Sequence, residues 1–509
     1  MSRINTNISS LTAQRVLGQN NQNLGTSLER LSTGLRISRG KDDPAGLIAS
    51  ENLRAEKSAI NAAIGNSNRA DQVVNIAEGG LQEVSNLLTE LQGLLTTSAN
   101  GAGLAESEKE ANQLQIDSIL QTIDRVAGAT SFQGTKLLNG NFDYQIGSIN
   151  SGVTDIEVRG AKFDGASQQV DTIVTASAQK AGYFLSLGTA TTIDLSGSSD
   201  QFTFEISGSQ GNRELPFASG TDITDITSAI NAVTDVTGVV ATESGTGIQL
   251  SSSEFGSSEF VGVKIVEDAG FATAQANAAI VDLTADDFGT ADATSTTAID
   301  AAGALNGLRD EGQDVAATIN GLLATGNGKT LSVNSDFLDV EFSLGDTASQ
   351  TLGAISSGAF TINGGGADFQ LAAEVGISGK VSLGIGDISS RKLGNSTDGF
   401  LDDLASGKSF NVVDGDNLDD AQKIVASAID QVSSTRGRLG AFQKNVVGAT
   451  IRSLGVAFEN TSAAESVIRD ADFAAETATM TRNQILVQAS TNVLSLANQQ
   501  PQQVLSLLG

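Results

Sequence analysis

The N-terminal part of the chain carries a seven-residue repeat of apolar side chains, which constrains the fold more than any other feature. The repeat runs from Leu53 to Leu95 and has one polar member, Ser67. A second apolar series lies three positions C-terminal to the first. Two filled positions per heptad over about six heptads favour a long helix packed against other helices. The two series are Leu53, Ile60, Ser67, Val74, Leu81, Leu88 and Leu95, and Ala63, Ala70, Ala77, Val84 and Leu91.

Two further helices are predicted within the first 140 residues. A break with two Gly residues and Pro44 separates the first helix from the heptad helix, and Asp42 or Asp43 suits a helix start. A Gly-rich break at 100–103 precedes the third helix, so we expect an antiparallel hairpin. The apolar positions are Leu17, Leu24, Leu28, Leu31 and Leu35 in the first helix, and Ile116, Leu120, Ile123 and Ala127 in the third.

The C-terminal region, about 416–509, returns to helical spacing. One helix presents an apolar face that includes Leu439, Phe442 and Val446. The last helix has a narrow, alanine-rich seam, which lets two helix axes approach closely but buries little area. An apolar tail follows it. The seam is Ile468, Ala471, Ala475, Ala478, Ile485, Ala489 and Leu496, and the tail is Val504, Leu505, Leu507 and Leu508.

The middle, about 141–411, is rich in Gly, Ser, Thr and Asp, with short runs in which apolar and polar residues alternate. Such alternation predicts antiparallel strands, and Ile223, Ile226, Ile230 and Val233 fit one short helix. We expect a strand, helix, strand, strand unit near 200–267, and an α+β multidomain fold. Disorder of this region is the alternative. The runs are Phe142 to Ile146, Phe202 to Ile206, Ile248 to Leu250, Phe337 to Phe342 and Val381 to Ile385.

Charge is distributed unevenly along the chain. The net charge is −29, of which residues 141–411 carry −24, while residues 1–140 and 412–509 are close to neutral. An acidic chain is a poor ligand for phosphates, so we expect no nucleic-acid partner. No apolar run is long enough to span a membrane, and we predict no cleaved secretory signal peptide.

The chain contains no Cys, His or Trp. Disulfides, Ser-His-Asp and Cys-His catalysis, and His or thiolate metal sites are therefore excluded. Carboxylate and Lys side chains are present but form no catalytic motif. We expect a protein that is not an enzyme, with no catalytic, cofactor-binding or metal site.

The simplest arrangement pairs the N-terminal helices with the C-terminal helices and presents the middle as an insertion. The terminal helices have thin apolar seams, so we expect them to fold on packing with other copies. Association through unlike surfaces that do not close gives a helical filament. An ordinary coiled-coil dimer with a β-rich head fits the same pattern, and the pattern alone leaves both open.

Several motifs resemble those of bacterial flagellins, over about 140 residues at one end and 95 at the other. The middle is similar in type only, with Phe202 to Ile265 resembling a hook-associated insertion motif. The terminal motifs are Ile4–Asn7, Leu31–Ile37, Lys41–Leu47, Ile123–Ala127 and Phe132–Leu138, and then Arg438–Gln443, Ile468–Ala474, Gln484–Leu486 and Ala497–Leu508.

The resemblance implies three domains. An inner coiled coil would comprise 1–43 and 468–509, a helical and β-hairpin domain 44–180 and 375–467, and a surface-exposed β-rich insertion 181–374. Assembly would use Leu24, Leu28, Leu31, Leu35, the alanine-rich seam and the tail. The core of the helical shell would be Leu53, Ile60, Val74, Leu81, Leu88, Leu95, Leu439, Phe442 and Val446.

The resemblance also implies a function. The chain would polymerise into an extracellular swimming filament after export by the flagellar type III apparatus. Partners would be other copies, an export chaperone, and the cap and hook-filament junction proteins. The first alternative is a hook-associated or junction protein. A metalloprotease insert would need His, which is absent, whereas an adhesive role of the insert stays open.

An innate immune receptor is a further implied partner. The corresponding surface would comprise Glu90, Leu91, Leu94 and Gln115. Flagellins that strongly activate the flagellin-sensing Toll-like receptor typically have Arg where this chain has Glu90, and Glu where it has Gln115. Reversal of charge at an interface replaces attraction with repulsion, so we predict weak activation.

Overall fold

The computed structural model describes residues 6–100, 103–163, 165–188, 190–195, 200–275, 277–284, 287–355, 358–413 and 417–508. At residues 284, 287–290, 293–294 and 501–508 it describes the backbone alone. The chain forms two compact units. The helical unit comprises residues up to 72, 369–380 and from 440 onward, and the mixed unit comprises 73–368 and 381–439.

Long helices occupy both ends of the chain, as the periodicity predicts. Two 3₁₀ turns, Ile377–Gly379 and Leu401–Leu404, lie between them. The α-helices are α1 Ile8–Thr33, α2 Pro44–Ser98, α3 Glu106–Ala129, α4 Ile223–Asn231, α5 Thr234–Thr237, α6 Phe271–Ala274, α7 Ala302–Asn306, α8 Asp346–Gln350, α9 Leu418–Ala441, α10 Gly448–Arg469 and α11 Phe473–Leu508.

Strands fill the region between α3 and α9, which confirms the predicted α+β class. They are β1 Ser131–Phe132, β2 Thr135–Lys136, β3 Tyr144–Gly147, β4 Val153–Ala161, β5 Gln168–Val170, β6 Thr172–Ala176, β7 Gly182–Leu187, β8 Phe202–Gly208, β9 Gly211–Phe217, β10 Val239–Ser244, β11 Gly247–Ser252, β12 Phe260–Glu267, β13 Ala278–Thr284, β14 Asp287–Ala298, β15 Leu308–Glu311, β16 Ala316–Ile319, β17 Leu322–Leu323, β18 Thr325–Asn327, β19 Thr330–Asn334, β20 Leu338–Leu344, β21 Gly353–Ala354, β22 Phe360–Gly365, β23 Ala367–Gln370, β24 Lys380–Leu383, β25 Gly394–Asn395 and β26 Gly399–Phe400.

The larger sheets of the mixed unit are antiparallel. Their orders are β10-β11-β7-β13-β14, β15-β12-β8-β9, β17-β16-β6-β21, β18-β19-β20-β4 and β3-β22-β5. One core surrounds Phe202, whose ring centroid lies 5.6 Å from that of Phe204 and 4.6 Å from that of Phe271. A second core contains Phe342 and Phe360, whose ring centroids are 5.6 Å apart.

The heptad repeat of α2 is buried along almost its whole length, as predicted. Leu53 is half-buried, and from Ile60 to Leu95 every member of the two series is buried. The polar member is satisfied locally, because Ser67 Oγ donates to the Ala63 carbonyl at 2.9 Å. The predicted start of α2 is confirmed, since Asp43 Oδ1 accepts a hydrogen bond from Gly46 N at 2.9 Å.

The predicted apolar face of α3 is also buried. Ile116, Leu120, Ile123 and Ala127 all lie in the core. Asn112 Nδ2 of this helix donates to Ser98 Oγ at the end of α2, at 3.0 Å. The loop between α2 and α3 is short, as a helical hairpin requires.

Between α9 and α10 the backbone forms a π-helix, Phe442–Val447. A π-helix inserts one residue into the α-helical repeat, so the residues after it are shifted around the helix. Leu439 and Phe442 are buried as predicted, whereas Val446 is only half-buried and Val447 is fully buried. The prediction for Val446 is wrong by one residue for this reason.

The central strands differ from prediction in several details, because β3 begins at Tyr144 and not at Phe142, and β24 ends at Leu383 and not at Ile385. The strand predicted from Phe337 starts at Leu338, because Ser335 and Leu338 bond to each other and close a turn that leaves Phe337 exposed. The unit near 200–267 contains five strands, β8 to β12, and not the three expected, and Val233 lies outside α4, which ends at Asn231. One of the additional strands, β9, pairs with β8. This edge strand was missed because Arg213, Glu214 and Pro216 obscure the alternation.

Candidate assembly surface

Local signals fix where the terminal helices begin and end. Asn7 caps α1, its Oδ1 accepting from Ser10 N at 3.0 Å. Gly34 ends α1 in the left-handed conformation, with φ of 71°. Asp472 precedes α11 and its Oδ1 accepts from Ala474 N at 2.9 Å.

The two terminal helices pair antiparallel within the helical unit. Asn7 Nδ2 donates to the Ala497 carbonyl at 2.8 Å near one end of the pair. In the middle, Asn20 Nδ2 donates to Ser490 Oγ at 2.7 Å. The pairing of the N-terminal with the C-terminal helix, expected from the sequence, is therefore present in one chain.

The seam between α1 and α11 is small and polar. Its buried residues lie 3 and 14 positions apart on α1 and 7 positions apart on α11, so each set stays on one face of its helix. The buried members are Ser10, Ala13 and Ser27 on α1, and Asn483, Ser490 and Ala497 on α11. Small polar residues bury little apolar area, so this pair is weakly stabilised by the hydrophobic effect.

At the other end of the α1–α11 pair lie a charged contact and a hydrogen bond between the segments that adjoin the two helices. Arg30 Nη1 lies 3.9 Å from Glu476 Oε2, with both side chains partly buried. Arg36 N donates to the Arg469 carbonyl at 2.7 Å. A hydrogen bond from Arg39 N to Asp42 Oδ2, 2.9 Å long, lowers the pKa of this carboxyl below its usual value and orders the segment before α2.

Both terminal helices leave large apolar side chains exposed. Ile485 and Leu496 of α11 are each 60% exposed. Contiguous exposed apolar surface on an element that is already paired is typical of interaction sites. The others are Ile8, Leu11, Val16 and Leu28 on α1, and Phe473, Leu486 and Val493 on α11.

A groove runs beside the seam. It has a volume of about 580 Å³ and lies between the two helices. Its lining is mostly apolar or uncharged: Ile8, Ser9, Thr12, Ala13, Val16, Asn20, Leu486, Ala489, Ser490 and Val493. The pair therefore offers both an apolar face and a groove that a further helix could fill.

The alanine-rich seam predicted for α11 is not the buried face of the α1–α11 pair, although Ala489 lines the groove between the two helices. Within α11, Ala475, Ala478, Ile485, Ala489 and Leu496 are exposed, while Ile468 and Ala471, which precede the helix, are half-buried. The face that meets α1 is instead formed by residues such as Asn483 and Ser490, because these can exchange hydrogen bonds across the pair.

Of the four leucines predicted for the first helix, Leu24, Leu28 and Leu31 lie in α1, whereas Leu35 follows the Gly34 that ends it. Leu24, Leu31 and Leu35 are half-buried, whereas Leu28 is exposed. The side chains of Val504, Leu505, Leu507 and Leu508 lie outside the described part, although the backbone of α11 continues through them. The role of all these residues in assembly remains a prediction.

One residue of the predicted receptor surface is misplaced. Leu91 is 0% exposed, because it occupies a heptad position on the buried side of α2. Glu90 and Gln115 are exposed and Leu94 is half-buried. The exposed apolar residue in this area is Leu114, which sequence reasoning did not select.

Sequence reasoning also missed most of the exposed apolar residues on the terminal helices. Leu486 and Val493, for example, do not continue the alanine-rich spacing of α11. The buried seam residues of α1, which are Ser10, Ala13 and Ser27, lie 3 and 14 positions apart, and these spacings keep them on one helix face. A search for small polar residues at that spacing would have found the seam.

Within the described residues, no helix has an apolar stretch sufficient to cross a bilayer. No group of three or more carboxylates in that part of the chain is arranged to hold a metal ion.

Comparison with known proteins identifies the family. The profile of the bacterial flagellin N-terminal helical region matches residues 4–143, and that of the C-terminal helical region matches 422–508. The flagellin hook IN motif matches residues 201–254. A flagellin of Salmonella choleraesuis (strain SC-B67) is 31% identical over 550 residues, with 99% of each chain covered. The chain belongs to the bacterial flagellins.

A second flagellin relative gives the same assignment. The B-type flagellin of Pseudomonas aeruginosa PAO1 is 30% identical over 555 residues, with 99% of each chain covered. Among solved structures, FlgL of Xanthomonas campestris is 12% identical, covering 80% of this chain and 98% of that one, with a TM-score of 0.26. A TM-score this low supports no conclusion about function.

Membership in the flagellins indicates the general function of the chain. Flagellin is a structural subunit of the bacterial flagellar filament and not an enzyme. The resemblance found in the terminal motifs is thereby confirmed, and the insertion motif predicted near 200–267 overlaps the matched hook motif.

Proposed function

We propose that this flagellin polymerises into the filament used for swimming, and that the α1–α11 pair makes the central contacts between copies. The observation that carries the proposal is the apolar face of α11, with Ile485 and Leu496 exposed although the helix is already paired. Exposed apolar faces of this kind become buried when further copies pack against them.

The proposal extends to domain organisation. Residues 1–43 and 468–509 would form the inner coiled coil, 44–180 and 375–467 the surrounding helical and β-hairpin domain, and 181–374 the surface-exposed insertion. The net charge of −24 on residues 141–411 supports a solvated position for the middle of the chain.

Export would proceed through the flagellar type III apparatus, without a cleaved signal peptide. The absence of Cys supports passage and assembly without disulfide formation. Before assembly, an export chaperone would cover the apolar face of α11. The cap and hook-filament junction proteins would be the other partners, and an innate immune receptor a weak one.

The test compares two substitutions on α11 of the full-length chain. Ile485→Asp places a charge on the apolar face, and Gln488→Asp places the same charge at another exposed position of the helix. Purified subunits receive precipitant salt or filament seeds and are imaged by negative-stain electron microscopy. We expect long filaments from the unaltered chain and from Gln488→Asp, and none from Ile485→Asp.

Two outcomes would contradict the proposal. Filaments from Ile485→Asp equal in yield and length to those of the unaltered chain would show that this face is not an assembly contact. Rings or short stacks from the unaltered chain would favour the alternative, a hook-associated or junction protein.

A further inference from the structure

One sheet of the mixed unit leaves an apolar face in solvent. In the sheet β17-β16-β6-β21, Leu323, Thr318, Ile173 and Ala354 lie side by side in one row across the strands. Leu323 is 79% exposed and Ile173 is 46% exposed. Leu352, just before β21, is 63% exposed. We call these five residues the uncharged sheet face.

A groove adjoins the uncharged sheet face. It has a volume of about 520 Å³, and Leu352 and Ala354 belong to both surfaces. Every side chain that lines it in the described part of the chain is uncharged. The lining residues are Asn150, Ser151, Gly152, Thr347, Ala348, Thr351, Leu352, Gly353, Ala354 and Ile355.

This lack of charge is unusual for its surroundings. Residues 141–411 carry 35 acidic and 11 basic side chains, so the middle regions of two copies repel each other over most of their surface. The uncharged sheet face and its groove let a neighbouring copy approach this part of the region with less repulsion, and apolar contact there is favourable.

The area of the uncharged sheet face determines when a contact through it is stable. The four apolar side chains of this face offer a few hundred Å² at most, well below the roughly 1,200 Å² of a stable interface. Two free subunits would therefore separate. In a filament the copies are held together elsewhere, which raises their effective concentration and makes a small contact sufficient.

The short outer strands of this sheet favour contact through the uncharged sheet face and not through the sheet edges. The outer strands β17 and β21 are two residues long each, so neither edge offers a ladder to which a partner strand could add. Apolar side chains, not free backbone groups, are what this sheet presents.

We propose that the uncharged sheet face contacts a neighbouring copy of this chain within the assembled filament. The inference rests on the proposed polymerisation and adds a second, outer contact to the one made by the terminal helices. Neighbours in a helical filament are related by a screw operation and not a two-fold axis, so the face meets a different surface of the next copy.

The first experiment places the photo-crosslinking residue p-benzoylphenylalanine at position 323 of the full-length chain. The matched control carries it at Val236, which is 52% exposed on α5 of the same unit. After irradiation, we expect a dimer band from filaments labelled at 323, and little from free subunits or from filaments labelled at 236. Mass spectrometry of the band identifies the contacted surface.

A second experiment measures the contribution of the contact. Leu323→Asp should lower the melting temperature of the filament by about 3 °C or more, because a carboxylate would replace an apolar side chain in the contact. Free subunits of the same variant should melt as the unaltered chain does. Val236→Asp should leave the filament unchanged.

The outcomes separate this inference from the proposed function. Filaments that form normally but give no dimer band from 323, or equal bands from 323 and 236, would overturn the outer contact alone. If the unaltered chain forms no filaments, the proposed function fails and this inference with it.

Discussion

Asn483 Nδ2 donates a hydrogen bond of 3.1 Å to Ser27 Oγ across the α1–α11 pair, and both residues are almost fully buried. A buried polar pair fixes the register of two helices, because a shift leaves donor and acceptor without partners. The remaining seam is small and polar, so this bond is a main determinant of how the terminal helices align.

Ser27→Ala is expected to weaken the pair by about 1–3 kcal/mol, because it leaves the buried Asn483 amide unpaired. The double substitution Ser27→Ala with Asn483→Leu should recover most of this loss, since neither partner then needs a hydrogen bond. Melting of the polymer, followed by circular dichroism, measures the effect. Ser32→Ala, at an exposed position of α1, is the control. A double variant less stable than both singles would contradict the explanation.

Adjacent glycines in α2 provide a matched pair of substitutions. A Cβ atom at Gly80 would lie 2.6 Å from Leu138 Cδ1 and 2.7 Å from Thr130 Oγ1, whereas one at Gly79 meets nothing within 4 Å. Gly80→Ala should therefore cost about 1–3 kcal/mol, and Gly79→Ala should stabilise the helix by up to about 1 kcal/mol. Calorimetry of the free subunit compares them. Equal melting temperatures for the two variants would show that the close packing at Gly80 is not important.

The π-helix predicts a difference between two neighbouring valines. Val447→Ala removes a fully buried side chain and should cost about 2 kcal/mol, whereas Val446→Ala should cost clearly less because Val446 is half-buried. Chemical denaturation of the two variants measures both values. The opposite order would mean that the helix runs without the inserted residue.

Asp310 predicts a dependence of stability on pH. Burial raises the pKa of this carboxyl above its usual value of 3.8, and a hydrogen bond from Gly182 N opposes the shift. The folded chain then binds the proton more tightly than the unfolded chain, so the free energy of unfolding falls as the pH rises from 3.8 through the raised pKa.

Asp310→Asn keeps an acceptor for Gly182 N and removes the charge. We expect this variant to melt at a higher temperature than the unaltered chain at neutral pH, with the difference vanishing below the usual pKa of Asp. Thermal scans over a pH series measure it. Glu243→Gln, at an exposed position of β10, should change little. A difference independent of pH would rule out titration as its cause.

Glu90 predicts the strength of receptor activation. It is exposed on α2, and the resemblance to flagellins implies that strong activators of the receptor have Arg at the matching position. Glu90→Arg should therefore increase potency in a cell reporter assay, because it replaces a repulsion across the interface with an ion pair. Glu83→Arg, two turns away on the same helix, controls for the change in net charge. Equal responses from both variants would speak against a specific contact at 90.

The sequence by itself determined that both ends of the chain are helical, which faces of α2 and α3 are buried, and to which family the chain belongs. These features depend on side-chain spacing along one helix or on short motifs, and both are local. It also predicted the alternation of β8, whose Phe202, Phe204 and Ile206 are fully buried, because strand alternation repeats every two residues.

Only the tertiary structure decided which face of α11 meets α1. The apolar pattern of α11 selects the alanine-rich seam, yet Asn483 and Ser490 face α1, because hydrogen bonds between two helices depend on both sequences at once. The shift from Val446 to Val447 follows from a backbone insertion that apolar spacing does not encode. The uncharged sheet face joins residues more than 170 positions apart, from Ile173 to Ala354, and only strand pairing brings them together.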